Sequence, residues 1–129
     1  MNVVLNQSDE CQEPICRTYP GLRDRVAATA EEWIGDDGEF IAHAWMSQLC
    51  TLVQQRFSEG DFEQSAALFH LVEDLLNEGD DSVKAAIATG FIEGLQHQQR
   101  LDPALWQPLL GSSAKAHCKA MNNFYGIDA

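Results

Sequence analysis

The sequence predicts an all-α fold, an antiparallel stack of helical hairpins with about six helices and no sheet. Three observations carry that expectation. Apolar residues recur at helical spacing through most of the chain after residue 20. Gly, Pro and Asp punctuate those patterns at short intervals, so neighbouring helices must reverse direction. No segment alternates apolar and polar residues with the period of two that a half-buried strand requires.

Residues 1–19 are polar and mixed, and they read as a partly packed N-terminal arm. Val3 to Leu5 fit either a short extended piece or the start of a helix. Residues 20–129 read as a single helical domain. Pro20 suits a first helical turn, where its missing N–H costs nothing. Leu22, Val26, Ala30 and Trp33 follow at helical spacing, and Gly35 stops that helix. Asp36 or Asp37 is placed to cap the next one, from about residue 38 to 57, with Ile41, Trp45, Leu49, Leu52 and Val53 as its apolar stripe. Gly60 ends it. Asp61 then caps a third helix to residue 78, with Phe62, Ala66, Phe69, Val72 and Leu76 on one face, widened by Leu68 and Leu75. Gly79 offers a left-handed stop.

The fourth helix, 82–97, has the cleanest pattern. Val83, Ala86, Ile87, Gly90, Phe91, Gly94 and Leu95 fall at offsets 0, 3, 4, 7, 8, 11 and 12. Two glycines inside a helix cost roughly 1 kcal/mol each relative to alanine. Both lie on the buried stripe, which predicts close approach of a neighbouring helix. Asp102-Pro103 opens a short helix containing Leu105, Trp106 and Leu109. After Gly111 a serine caps the last helix, whose inner stripe is Ala114, Cys118, Met121 and Tyr125, and Gly126 ends it.

Twenty acids face eight Lys plus Arg, a formal net charge of −12. A phosphate backbone or an anionic membrane surface is repelled by such a chain, so neither direct nucleic-acid binding nor membrane binding is expected. A basic protein partner is attracted. No secretory signal and no apolar run of membrane-spanning length is visible, so the expected place is the cytoplasm.

Helix reversal gathers the charge. The helices starting near 38 and 82 begin at the end of the stack where the helix ending at 78 arrives. Asp36, Asp37, Glu39, Glu78, Asp80 and Asp81 should therefore share one edge, which Glu31 and Glu32 extend. Glu59, Asp61 and Glu63 fall on the opposite edge. Two readings stay open. Acids at helix N-termini stabilise helices by roughly 0.3–1 kcal/mol each, so part of the cluster is capping. The local excess beyond that favours a partner-binding edge.

Catalytic and metal motifs are not visible. Cys11 and Cys16 lack a second ligand pair, and Cys50 and Cys118 read as core fillers. His43, His70, His97 and His117 form no metal-ligand pair along one helix. No cofactor, metal site or enzyme activity is expected.

The stretch from Leu75 to Ile87, with Asp80 or Asp81 in the turn followed by Val83, Lys84 and Ala86, resembles one HEAT-type repeat. The longer stretch Leu71 to Gly126 resembles a family of small bacterial helical proteins. Some of that family are immunity proteins of contact-dependent growth inhibition and related polymorphic-toxin systems. The pieces that carry the resemblance are Glu73 to Asp80, Ala86 to Leu95, Leu109 to Ala120 and Phe124 to Gly126. They are core and cap residues, which transmit fold more than function. The resemblance implies an inhibitor that binds a cognate toxin, often a nuclease with a basic cleft and here expected to be a ribonuclease. The alternative is a helical-repeat adaptor or scaffold for an endogenous basic partner.

Overall fold

A computed structural model describes residues 12–98 and 101–124. The expectations for Cys11, Tyr125, Gly126 and the segment around Val3 lie outside those residues. Among the described residues the protein is all-α, with eight α-helical segments and a single isolated bridge, Ile34 to Phe40, in place of any sheet. None of the described helices is long and apolar enough to cross a membrane.

The described part of the N-terminal segment is a helix, α1 (Gln12–Thr18), with Ile15, Cys16 and Tyr19 buried. Arg23 grips Glu13 with two hydrogen bonds of 2.7 and 2.9 Å and so ties α2 (Leu22–Ala28) back onto α1. Arg56 lies over the Tyr19 ring, 4.6 Å from its centroid, and donates to the Pro20 carbonyl. The single helix expected from Pro20 to Gly35 is broken at Thr29, and its second part is the short α3 (Ala30–Trp33). Thr29 itself makes the break local, since its hydroxyl bonds the Arg25 carbonyl at 2.9 Å.

The centre of the molecule is α4 (Ala42–Ser58), against which α2, α3 and α6 (Asp81–Ala86) pack. Beyond α6 the rod continues through a π-helical segment, Ile87–Ile92, into α7 (Glu93–His97). A Cβ on Gly90 would lie 2.7 Å from the Met46 Cβ and 2.8 Å from the His43 carbonyl oxygen. One on Gly94 would lie 2.8 Å from the Cys50 Sγ. The two glycines thus mark the close approach that their place on the stripe implied. Beneath this contact Trp45, Met46, Leu49, Val53, Ile87, Phe91, Ile92 and Leu95 are fully buried. Rings of Phe57, Phe69 and Phe91 continue the core into α5 (Ser65–Glu78).

Several helix ends differ from expectation. Asp36 and Asp37 do not cap α4, which starts later, at Ala42 after Ile41. Ile41, placed on the apolar stripe, is 37% exposed. Asp61 does not cap α5 either. It accepts from the Glu63 N–H at 3.1 Å in a tight turn, and the helix starts after Gln64, a non-glycine residue at φ 63°. Phe62 therefore precedes the helix and lies against Phe57 with its ring half-exposed. Ala66, expected on the inner face, is exposed. Gly79 is extended, at φ −70°, so it is not a left-handed stop. Space selects it, because a Cβ there would lie 2.6 Å from the Leu75 carbonyl oxygen. The short helix after Asp102 is two 3-10 turns, Pro103–Leu105 and Gln107–Leu109, before α8 (Ser112–Phe124).

Candidate partner-binding edge

Two connections bring the six singled-out acids into two local groups. The first is a turn that leaves α3 and returns to α4. Its walls are the Ile34–Phe40 bridge, closed by Gly35 N–H to the Glu39 carbonyl at 2.8 Å and Ile41 N–H to the Trp33 carbonyl at 2.8 Å. At the tip, Asp37 accepts from the Glu39 N–H at 3.0 Å, and Gly38 takes φ 85°, which favours glycine. Asp36, Asp37 and Glu39 are all exposed on this turn. Ile34 and Ile41, 40% and 37% exposed, flank them. Trp33 braces the base, with its ring edge-on to Phe40 and its indole N–H donating to the Val26 carbonyl at 2.8 Å.

The second group spans α5 and α6. Asp80 is the N-cap of α6 and accepts from the Val83 N–H at 2.9 Å. Asp81 occupies the first helical position, where the dipole favours an acid. Glu78 is the last residue of α5, at the end where the helix dipole is negative. All three are exposed.

The helix register relates the groups. Gly90 sits against Met46 and Gly94 against Cys50, so α4 and the α6–α7 rod advance in the same direction. Carried back along both, the start of α6 lies beside the start of α4, which is the end where the 34–41 turn leaves. The C-terminus of α5 meets that end through the short link to α6. Glu32 has a different role from the others: it accepts from Gln48 Nε2 at 3.3 Å. Charge is also segregated along the chain, though Glu59, Asp61 and Glu63 lie at the other end of α4. Between residues 24 and 81, fourteen acids accompany only Arg25 and Arg56, whereas residues 84–124 hold two acids and four bases.

Two polar constellations escaped the sequence reading. Glu73 of α5 crosses to α8 and accepts the free N–H groups of Ser113 at 2.7 Å and Ala114 at 3.1 Å. Burial pushes its carboxyl up, and the hydrogen bonds from Ser113, Ala114 and Asn77 outweigh that and hold it below the ordinary value. The carboxylate, not a serine side chain, thus caps this helix. His117 meets Glu93 at 2.9 Å, both largely buried, and ties α8 to α7. No spacing rule finds either, because the partners are 40 and 24 residues apart.

The thiols of Cys16, Cys50 and Cys118 are free and buried. Burial, helped by the nearby Glu93 carboxylate, pushes Cys118 up to about 11. Among the described residues no group of three or more His, Cys, Asp or Glu side chains is arranged to hold a metal ion.

Fold and surface together define a small helical domain with exposed acids on the 34–41 turn and at the α5–α6 link. The chain belongs to the family described as a domain of unknown function, DUF7674, whose model matches residues 13–126. No curated protein matches the chain, and no solved structure does.

Proposed function

We propose that this domain is an immunity protein that binds and neutralises a cognate basic toxin domain, of the ribonuclease kind, and that it has no catalytic activity of its own. The observation that carries this reading is the braced turn holding Asp36, Asp37 and Glu39 between two exposed isoleucines. An acidic surface needs an apolar centre to bind tightly, since charge sets encounter rate and specificity more than affinity. Ile34 and Ile41 supply that centre. A standard interface takes about 800 Å² per partner. That is about a ninth of the total surface of 7295 Å².

The test is co-expression with the C-terminal domain of a toxin encoded directly upstream, followed by isolation of a one-to-one complex. Charge reversal belongs at Asp36 and Asp81, because Asp37 and Asp80 hold their own backbones. The double variant Asp36→Lys/Asp81→Lys should associate more slowly, by about tenfold at low salt, with a flatter salt dependence. Unchanged association kinetics would remove this edge from the interface. A complex with an endogenous basic protein, and none with a toxin, would make the domain a helical-repeat adaptor.

A further inference from the structure

Along the second half of α4, α2 and α4 border a cleft of about 320 Å³, lined by Arg25, Thr51, Gln54, Gln55 and Ser58. That volume lies at the lower end of small-molecule sites. Among the described residues Arg25 is the only charged group on its wall.

The guanidinium is held from behind. Its Nε donates to Gln48 Oε1 at 3.2 Å, and Gln48 Nε2 donates to Glu32 Oε1 at 3.3 Å. Gln48 is 6% exposed, a polar side chain buried on α4 for this purpose. The two terminal nitrogens of Arg25 have no partner among the described residues. An arginine fixed through Nε presents its remaining N–H groups as a rigid fork, which matches the oxygens of a carboxylate or phosphate.

The rest of the wall is polar and uncharged. Thr51 and Ser58 spend their hydroxyl protons on the Ser47 and Gln55 carbonyls, at 2.9 and 2.7 Å. Gln54 spends an amide proton on the Cys50 Sγ at 3.1 Å. What these groups leave over is the lone pairs of two hydroxyls and two amide oxygens, which accept, together with the remaining amide N–H groups of Gln54 and Gln55. One fork of donors beside several acceptors suits a ligand with one oxyanion and several hydroxyls.

We infer that the Arg25 cleft binds a small hydroxylated anion, a hydroxy acid or a phosphate ester, at a site separate from the acidic edge. The basic partner proposed for that edge has no role here, so either proposal stands without the other.

The experiment is an NMR titration of the full chain with acetate, inorganic phosphate and glycerol 3-phosphate. It follows the Arg25 Nε–H and the Thr51 and Gln55 amides. Saturable shifts are expected, with dissociation constants on the order of millimolar, as fits such small probes. Glycerol 3-phosphate should bind several-fold tighter than phosphate through its hydroxyls. Acetate against phosphate tells which oxyanion the fork prefers. Arg25→Lys keeps the charge and loses the fork, so it should weaken binding roughly tenfold. Gln55→Met, at an exposed position on α4, should erase the advantage of glycerol 3-phosphate even if Arg25→Lys fails to fold. Resonances unmoved at tens of millimolar, Arg17 and Arg23 shifting as much as Arg25, or undiminished binding by Arg25→Lys would each overturn the inference. Persistence of the glycerol 3-phosphate preference in Gln55→Met would do the same.

Discussion

At the scale of single residues, Glu73 is the side chain on which most depends. A helix N-terminus leaves four N–H groups without partners, and the dipole makes that end positive. Glu73 answers both for α8 from another element, and Gly111 makes room for it, since a Cβ there would collide with the carboxylate. Replacing Glu73 with Ala should cost about 2 kcal/mol of stability, read from urea unfolding. The pH dependence has a defined sign. A carboxyl held below its unfolded value contributes stability above that value and loses it as pH falls. The gap between wild type and Glu73→Gln should therefore be widest near neutrality and shrink below about pH 4.5. A gap that stayed constant from pH 7 to pH 3 would mean that the charge contributes nothing. Gly111→Ala should destabilise by an amount that does not add to that of Glu73→Ala, because both break one contact.

At the scale of elements, the α4 to α6–α7 contact is the fixed frame. It allows no side chain at Gly90. Alanine there gains roughly 1 kcal/mol of helix propensity, yet it must displace the Met46 Cβ and a backbone carbonyl. A net loss of about 1–3 kcal/mol is expected in chemical denaturation, and a stabilised Gly90→Ala protein would show that the contact can open at no cost. The same helix shows what the sequence could reveal. Periodicity located the buried faces of α4, α5 and the Val83–Leu95 rod, because burial on one side of a helix is written at intervals of three and four. Helix ends were harder. Asp61 and Asp37 are good caps locally, but each closed a turn of its own, and the neighbouring helices began several residues later. The π-helical turn at Ile87–Ile92 leaves no mark in that spacing. Ile15, Cys16 and Tyr19 are too few, and too close to Pro14 and Pro20, to signal α1, although all three are core. Of the candidate edge, the residues were legible and their exposure followed. The isoleucines beside them were not, because Ile41 matched the inner stripe of α4 in register.

At the scale of the whole molecule, charge is what the fold leaves unbalanced. Fourteen acids against two bases from residue 24 to 81 form a field that the isolated domain must bear. Helix dipoles and turn hydrogen bonds offset some of it at Asp37, Asp80 and Asp81. Asp36 has no such compensation among the described residues and stands exposed at the tip of its turn. It reports the field more cleanly than its neighbours. Asp36→Lys should stabilise the free domain at low ionic strength, by up to about 0.5 kcal/mol in chemical denaturation, because it relieves repulsion and breaks nothing. The gain should fade as salt is raised from about 0.01 M to 1 M, over which the screening length falls from about 30 Å to 3 Å. A surface kept acidic only for solubility would show the stability gain and no change in partner association. A surface kept acidic for binding shows both, with opposite signs. The stability of the free domain rises while its association with a basic partner slows. If Asp36→Lys gives no salt-dependent gain, the acids around it do not act as one field, and the edge has no collective charge to offer.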